Sequence, residues 1–507
     1  MFILAISPIL VILLLMVGFR WGASRAGGAG YLTALLVAWI WFGINPETLS
    51  YAHAKAVFLI LDVLLIIWTA FLLFRVVDEA GGIKTLSKSL PYLTADKGMQ
   101  ALIIGWIFAS FLQGVGGFGV PVAVIAPILV GLGFSPLSAV VIPSLGHSWA
   151  VTFGSLGASF NAMMAATGLD WQVLASPAAI FLGIAGICVG FAAAFAAGGW
   201  KTIKRLAFPI LIIGVVMSSA QYLTVTLGLW SIGGLIGGTA GLLIGIPLAW
   251  LYKGKKNSTG KLDWKPLLIS LAGYGVLVVL TLLIQLVPTL NRFLSQVQFG
   301  FDFPTTRTLA GYTVPAGPGR QITIFRHAGM ILLVSSAAAF LIFKRAGWYK
   351  AGALSRILGS TGKRVISSSV GITSIVMMAV IMQHAGMTDT LAQGFSSSLG
   401  WFYPALSPWI GALGAVMTGS NANSNLVFSL LQLRTAELLG LPVAIILAAQ
   451  TTGGALGSVV APTKIIVGAS TAGLEGQEGD IMRKLLPVIC VLLLIVGIMT
   501  TIGVILR

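Results

Sequence analysis

The chain has 507 residues, 57% of them hydrophobic and only 8% charged, against about 25% charged in a soluble globular domain. That balance excludes a water-soluble enzyme. The net charge of +17 does not indicate a nucleic-acid partner either, because the basic residues sit in short loops beside apolar runs long enough to cross a bilayer.

In chain order, Phe2–Phe19 is the first apolar run. Nothing basic precedes it, and Arg20 and Arg25 follow it, which predicts a retained span rather than a cleaved leader. Further spans are predicted over Ala56–Phe74, with Asp62 inside it, and over Ala175–Ala197, Leu267–Val287 and Leu485–Leu506. Cys188 and Cys490 lie within apolar runs and read as packing residues, with no disulfide framework. The longest polar connection, Pro288–Phe325, is too short and too rich in Gly and Pro for a core of its own. Residues 1–507 therefore read as one integral membrane domain.

The basic residues orient it. Arg20 and Arg25, Arg75 to Lys97, Lys201 to Arg205, Lys253 to Lys265, Lys344 to Arg364, and Arg483 with Lys484 fall on one face. Loops near Thr48, Leu169, Thr224 and Ser396 are nearly free of them. The rich face reads as cytoplasmic in a plasma or inner membrane, with the N-terminus outside. Arg292, Arg307 and Arg320 sit in a long loop, where such charges count for less.

Two stretches at membrane depth break the pattern of spanning helices. Phe111–Pro121 (FLQGVGGFGVP) is followed by the interrupted run Val141–Ser159; Thr418–Asn425 (TGSNANSN) is followed by Gln450–Lys464. Backbone rich in Gly, Pro and Asn cannot face lipid, because each unpaired N–H or C=O costs several kcal/mol there. The first block begins after Lys97 and the second near Ser396, on opposite faces. They therefore run in opposite senses. Ala80-Gly81 recurs as Ala385-Gly386, Gln113-Gly114 aligns with Thr418-Gly419, and Gly168-Leu169 recurs as Gly473-Leu474, each 305 residues on (385 − 80, 418 − 113, 473 − 168). The expected fold is an all-α polytopic membrane protein with inverted-topology repeats and two broken or re-entrant hairpin regions. Residues 1–200 would form the first repeat, 201–265 the connecting spans and 266–507 the second. Paired interruptions of this kind point to a transporter's substrate site.

The same stretches carry a resemblance. TGSNANSNLVFSLLQLRTAELLGL (418–441) resembles the T-G-S-D/N-x-x-S-N-x-L-F-x-x-L-Q signature of the lactate permease family. QTTGGALGSVVAPTKIIVGASTAGLEGQEGDIMR (450–483) resembles its G-G-x-x-G-x-x-x-(S/A)-P segment, and GVGGFGVPVAVIAPILVGLGFSPLSAVV (114–141) its G-F-G-x-P-V-A-I run. The likeness extends from about Val57 to Met482. It implies uptake of L-lactate, D-lactate, glycolate or a similar 2-hydroxy acid with protons. The chain departs from the family pattern at Gln113 (usually Glu), His147-Ser148 (Asn-Thr), Thr463 (Gln) and Asn421 (Asp in one form).

A small hydroxy acid is an anion, so its site needs donors and positive potential. Half-helix N-termini supply both. Gly114, Gly116, Gly117 and Gly119 let backbone approach closely, with Gln113 and Phe118 among them. Thr418, Gly419, Ser420, Asn421, Asn423, Ser424 and Asn425 add hydroxyl and amide groups. His147 aligns with Thr452 at the same offset (452 − 147), with Ser148 and Thr451 next to them, and Thr463 and Lys464 close the second block. The bland alternatives are close helix packing through small residues, a histidine bonded to its own helix, and a lysine reaching the interface. Asp62 and His147 are the candidate proton carriers. His384, which aligns with Glu79, reads as a helix-end residue, and Trp106 and Trp149 read as packing or interface-belt residues. Sodium is the alternative coupling ion, since Ser, Thr and Asn oxygens and unwound carbonyls suit it. No zincin motif, nucleotide loop or pair of catalytic acids is present, so no enzyme, cofactor or metal site is expected. A passive anion channel, or a carrier for a sulfonate, dicarboxylate or inorganic anion, is the competing reading.

Overall fold

A computed structural model describes residues 1–19, 21–89, 94–117, 119–252, 264–474 and 477–506; Arg20, Phe118, Lys253, Lys255, Lys256 and Lys261 lie outside them. The described chain is almost wholly helical. Among the described residues, seven helices are long and apolar enough to cross a membrane, or up to nine if two bent pairs each count as a span.

The first half runs α1 (Phe2–Leu13), α2 (Ala23–Ile40), α3 (Pro46–Glu79) and α4 (Gly82–Ser89). It continues with α5 (Lys97–Gln100) and α6 (Ala109–Val115), joined by wide helical turns over Ala101–Phe108 into one span, then α7 (Val120–Gly131), α8 (Pro136–His147) and α9 (Ala158–Thr167). Next come α10 (Trp171–Thr226), kinked at Gly198-Gly199, and α11 (Gly233–Leu251). The second half holds α12 (Trp264–Leu286), α13 (Pro288–Leu294), a β-ribbon, α14 (Ala328–Arg345), α15 (Ala353–His384) and α16 (Met387–Leu399). It ends with α17 (Tyr403–Thr418), α18 (Asn421–Leu438), α19 (Val443–Gly457), α20 (Pro462–Ala472) and α21 (Glu478–Ile505).

The offset seen in three residue pairs recurs in the elements. α2 and α14 begin and end 305 residues apart (328 − 23, 345 − 40). α3 and α15 end 305 apart (384 − 79), α4 and α16 begin so (387 − 82), and α9 and α20 end so (472 − 167). Gly81 and Gly386 both take positive φ after α3 and α15; Gly168 and Gly473 do so after α9 and α20. Packing follows the same exchange. α2 lies on α15 as α14 lies on α3, and α9 lies on α18 as α20 lies on α7.

Local chemistry sets these elements. Asn45 caps α3 by accepting from the Thr48 amide at 2.8 Å, with Pro46 at the first helical position. The 34 residues of α3 span about 50 Å, enough to cross a bilayer at a tilt. α3 and α15 run antiparallel. Trp68 Nε1 donates to Ser369 Oγ at 2.9 Å, Arg75 Nε to Ser360 Oγ at 2.9 Å, and Arg356 Nε pairs with Glu79 at 2.7 Å. His384 at the far end of α15 is buried and bonds to its own helix at the Val380 carbonyl.

Small residues let the inner helices touch. Trp149 and Trp106 fill the space over Gly186 and Gly190 of α10, and Trp149 Nε1 donates to Ser110 Oγ at 2.9 Å. Both tryptophans are packing residues, not part of an interfacial belt. Gly146 of α8 lies directly on the Gly105 carbonyl.

The polar connection of the second half folds as a β-ribbon. Six two-residue strands, β1 (Gln298–Phe299), β2 (Asp302–Phe303), β3 (Thr306–Arg307), β4 (Thr313–Val314), β5 (Gly317–Pro318) and β6 (Ile322–Thr323), pair antiparallel as β1–β6, β2–β5 and β3–β4. Phe299, Phe301 and Phe303 gather around Phe58 of α3. At the tip, the Leu309 amide donates to the Gly43 carbonyl at 2.7 Å, and Tyr312 Oη donates to Asp389 at 2.7 Å. Asp389 also pairs with Arg434 of α18 at 3.7 Å.

Backbone-to-backbone contact at Gly146 predicts a sharp asymmetry. Gly146→Ala overpacks α8 against Ala101–Phe108 and costs about 1–3 kcal/mol, whereas Gly28→Ala on α2 enters open space. Thermal unfolding in detergent is expected to show a lowered midpoint for G146A and a wild-type midpoint for G28A.

Candidate functional site

Each half contains a hairpin that enters the protein and returns to the face it left. In the first, Lys97 Nζ at the start of α5 donates to the Gly133 carbonyl beyond α7 at 2.8 Å and lies over the Phe134 ring. In the second, Tyr403 Oη at the start of α17 donates to Gln432 Oε1 of α18 at 2.7 Å, and Gln432 Nε2 donates to the Ser407 carbonyl at 3.0 Å. The hairpins open on opposite faces. α8 starts beside the mouth of the first, and α9 carries the chain on to Thr167 and Asp170, which line one cavity with Arg434 of the second.

Beside each hairpin runs a second broken pair, α8–α9 or α19–α20, so four helices (α7, α9, α18, α20) begin at a break. The first amides of a helix have no partner within it, and its N-terminus carries about half a positive charge. The breaks fit one another closely. Gly117 has φ 54°, and a Cβ there would overlap Ser155 Oγ of the α8–α9 break. Gly419 has φ 72°, and its Cβ would lie 2.7 Å from Thr463 Oγ1. Ser155 and Leu156 themselves take positive φ, 47° and 58°, at about 1–2 kcal/mol each. Strain of that kind persists only where surrounding structure enforces it.

The two halves meet in a hydrogen-bonded cluster. Asn421 Nδ2 donates to Thr152 Oγ1 at 3.1 Å and approaches Thr451 Oγ1 at 3.4 Å. Asn425 Nδ2 donates to Thr451 Oγ1 and to the Ser159 carbonyl, both at 2.9 Å. Thr152 Oγ1 and Thr451 Oγ1 are 3.1 Å apart. All four side chains are at most 1% exposed. A second layer holds them: Gln432 Nε2 donates to Gln450 Oε1 at 3.0 Å, Gln450 Nε2 to Ser424 Oγ at 3.1 Å, and Ser424 Oγ to the Gly411 carbonyl at 2.7 Å.

Around the breaks, six buried atoms find no partner among the described residues: Gln113 Oε1, His147 Nε2, Thr452 Oγ1 and the Oδ1 atoms of Asn421, Asn423 and Asn425. An unsatisfied buried polar atom costs about 1–3 kcal/mol. Their concentration here suits polar guests such as a solute hydroxyl, water or a cation. The amides of the helix N-termini suit a carboxylate.

The other residues singled out from sequence fall into place around this centre. Gly114 lies on the backbone of Leu235 in α11, Gly116 on the Phe74 ring, and Gly119 (φ 85°) opens toward Val467. Phe118 lies outside the described residues. Thr418 Oγ1 donates to the Gly414 and Ser420 carbonyls, and Ser148 Oγ to the Leu145 carbonyl, so these hydroxyls serve their own backbone. Ser420 caps α18. His147 Nδ1 bonds to the Pro143 carbonyl at 2.6 Å, which leaves Nε2 directed away from its helix. Lys464 Nζ turns back to Ser458 Oγ at 2.9 Å. Asp62 stands apart from the cluster, paired with Arg320 and His327 at 3.0 Å each. Thr152, Ser159 and Gln450 were not singled out from sequence; lone hydroxyls and amides in apolar runs carry no signal until a partner is seen.

The L-lactate permease family model matches residues 1–507. An L-lactate permease of Streptococcus iniae is 28% identical over 448 residues, covering 87% of this chain and 91% of that protein. Glycolate permease GlcA of Escherichia coli (strain K12) is 26% identical over 538 residues, covering 98% and 94%. An L-lactate permease of Bacillus subtilis (strain 168) is 25% identical, covering 98% and 94%. Among solved structures, the Alcanivorax borkumensis YdaH transporter is similar at a TM-score of 0.45 and 14% identity, covering 86% of this chain and 84% of that one.

Thr451 accepts from two buried amides, so its hydroxyl is the hinge of the cluster. Thr451→Val keeps the shape but takes one acceptor from each amide, which keeps its other bond to Thr152 Oγ1 or to the Ser159 carbonyl, at about 0.5–1.5 kcal/mol for each. The thermal midpoint in detergent is expected to fall by several degrees in T451V and to stay near wild type in T451S.

Proposed function

The chain belongs to the L-lactate permease family, and on that premise we propose that it is a secondary active carrier importing a small 2-hydroxy monocarboxylate, L-lactate, D-lactate or glycolate, with protons. One observation supports this above the others. Two oppositely opening hairpins bring their broken tips to a buried polar junction, where Asn421 and Asn425 of one half bond to Thr152 and Ser159 of the other. The coarser statement, a multi-pass monocarboxylate transporter, follows from the family.

In this reading the carboxylate lies against the N-termini of α9 and α18, which sit side by side at Ser159 and Asn425. The 2-hydroxyl pairs with the open oxygens of Asn421 and Asn423 or with Thr452, and Gln113 closes the site from the first hairpin. His147 is the nearer proton carrier, since its Nε2 is buried and uncommitted; Asp62 serves at the outer side. Coupling answers an energetic need. A monovalent anion entering a negative-inside cell climbs about 2.3 kcal/mol per 100 mV. A proton carried with it cancels that charge and adds about 1.4 kcal/mol per unit of inward pH gradient. Sodium is the second reading, favoured by the three open asparagine oxygens at one helix start. We place the chain in the cell membrane with its N-terminus outside. We assign residues 1–200 and 266–507 to the two repeats and 201–265 to the connection between them.

Purified protein in proteoliposomes tests this. An acidic exterior is expected to drive uphill uptake of lactate or glycolate that a protonophore abolishes and a sodium gradient does not replace. Asn421→Ala is expected to lower uptake at least tenfold in protein that still folds. Uptake indifferent to both pH and protonophore removes proton coupling, and wild-type uptake in N421A removes the site.

A further inference from the structure

Asp62 sits on the wall of a cavity of about 860 Å³ that opens beside the base of the β-ribbon, between α3, the end of α9 and the outer part of α18. Its charged lining is predominantly basic: Lys55, Arg320, Arg326 and Arg434 against Asp62 and Asp170, a balance of +2 (4 − 2) with His327 counted neutral. Arg434 is committed to Asp389 and Glu437. Arg326, among the described residues, donates only to the neutral groups of Asn291 and Ser295, and Lys55 lies over the Phe303 ring. Among the described residues, Asp62 is the one ionic partner of Arg320. The pair is close, at 3.0 Å, yet Arg320 Nε and Asp62 Oδ2 complete no hydrogen bond with each other or with any other described atom. The Arg320 side chain is 29% exposed, so the rest of its guanidinium turns donors without a described hydrogen-bond partner toward a basic basin. Such basins concentrate anions, and the guanidinium fork matches a carboxylate. The floor of the basin includes Asn161, two residues along α9 from Ser159, whose carbonyl belongs to the central cluster.

We propose that this basin is a second binding site, an outer capture site for the substrate's carboxylate. Arg320 is the anion ligand, and Asp62 is the resident counter-ion that the arriving carboxylate displaces. Resting on the monocarboxylate reading above, it lies one step outside the central cluster, and Asn161 marks the way inward. The ribbon, which has no counterpart between α1 and α2, carries both Arg320 and the approach to it.

Arg320 and Asp62 act in opposite senses here, which separates capture from a merely structural latch. Arg320→Gln is expected to raise the external concentration for half-maximal uptake at least tenfold with little change in maximal rate. Asp62→Asn, which removes the competitor, is expected to lower that concentration even where loss of its proton-carrying role lowers the maximal rate. Equilibrium dialysis of labelled glycolate against purified protein in detergent gives an independent reading. Two molecules per chain are expected in wild type, one in R320Q and one in N421A. If R320Q and D62N shift half-saturation in the same direction, or leave it unchanged, the capture site is wrong, as it is if R320Q still binds two. If N421A still binds two while R320Q binds one, the central assignment fails and the outer site stands.

Discussion

The constraint that organises this protein is the backbone amide in a medium without water. A helix can stop at membrane depth only if something other than solvent receives its free ends, and here the breaks receive one another. Gly117 presses on Ser155, Gly419 on Thr463, and the start of α18 bonds across the molecular centre to the start of α9. The interruptions that would be ruinous in one isolated helix become mutually supporting as a set. The cost is visible in Ser155 and Leu156, held in a backbone conformation that L-residues avoid.

The halves share a plan but not a chemistry. Element boundaries repeat at a fixed spacing, while the polar groups are concentrated in the second hairpin. Asn421 and Asn425 align with Gly116 and Val120 of the first (421 − 305, 425 − 305). The first half contributes close-approach backbone, the Thr152 hydroxyl and the Ser159 carbonyl; the second contributes the amides and the Thr451 hydroxyl. A pseudo-twofold scaffold thus frames an asymmetric polar junction. The β-ribbon adds a further asymmetry on the face where the second hairpin opens, tied to α18 through Tyr312, Asp389 and Arg434.

Much of this was legible in the chain because bilayer physics leaves few options. Apolar runs announce spans, and Gly-, Pro- and Asn-rich stretches inside them announce breaks. Three residue pairs were enough to suggest a spacing that whole helices then display. What stayed hidden depends on contacts between distant segments. Arg320 reaches Asp62 across 258 positions (320 − 62), and an arginine in a polar loop carries no mark of a buried partner. Thr152 looks like any hydroxyl in an apolar run until Asn421 meets it. The ribbon escaped notice because its two-residue strands are too short for any alternation to register. Trp106 and Trp149 could be assigned to packing only once Gly190 and Gly186 were seen beneath them.

The central claim is that the converging interruptions form the seat of a small carboxylate. A density map of the protein with glycolate bound tests it most directly. The account requires solute density within about 3 Å of the first turn of α18 and the asparagines on it, with the Thr152–Asn421 contact opened to admit it. Solute density confined to some other place, with that contact intact and the junction unchanged, would contradict it.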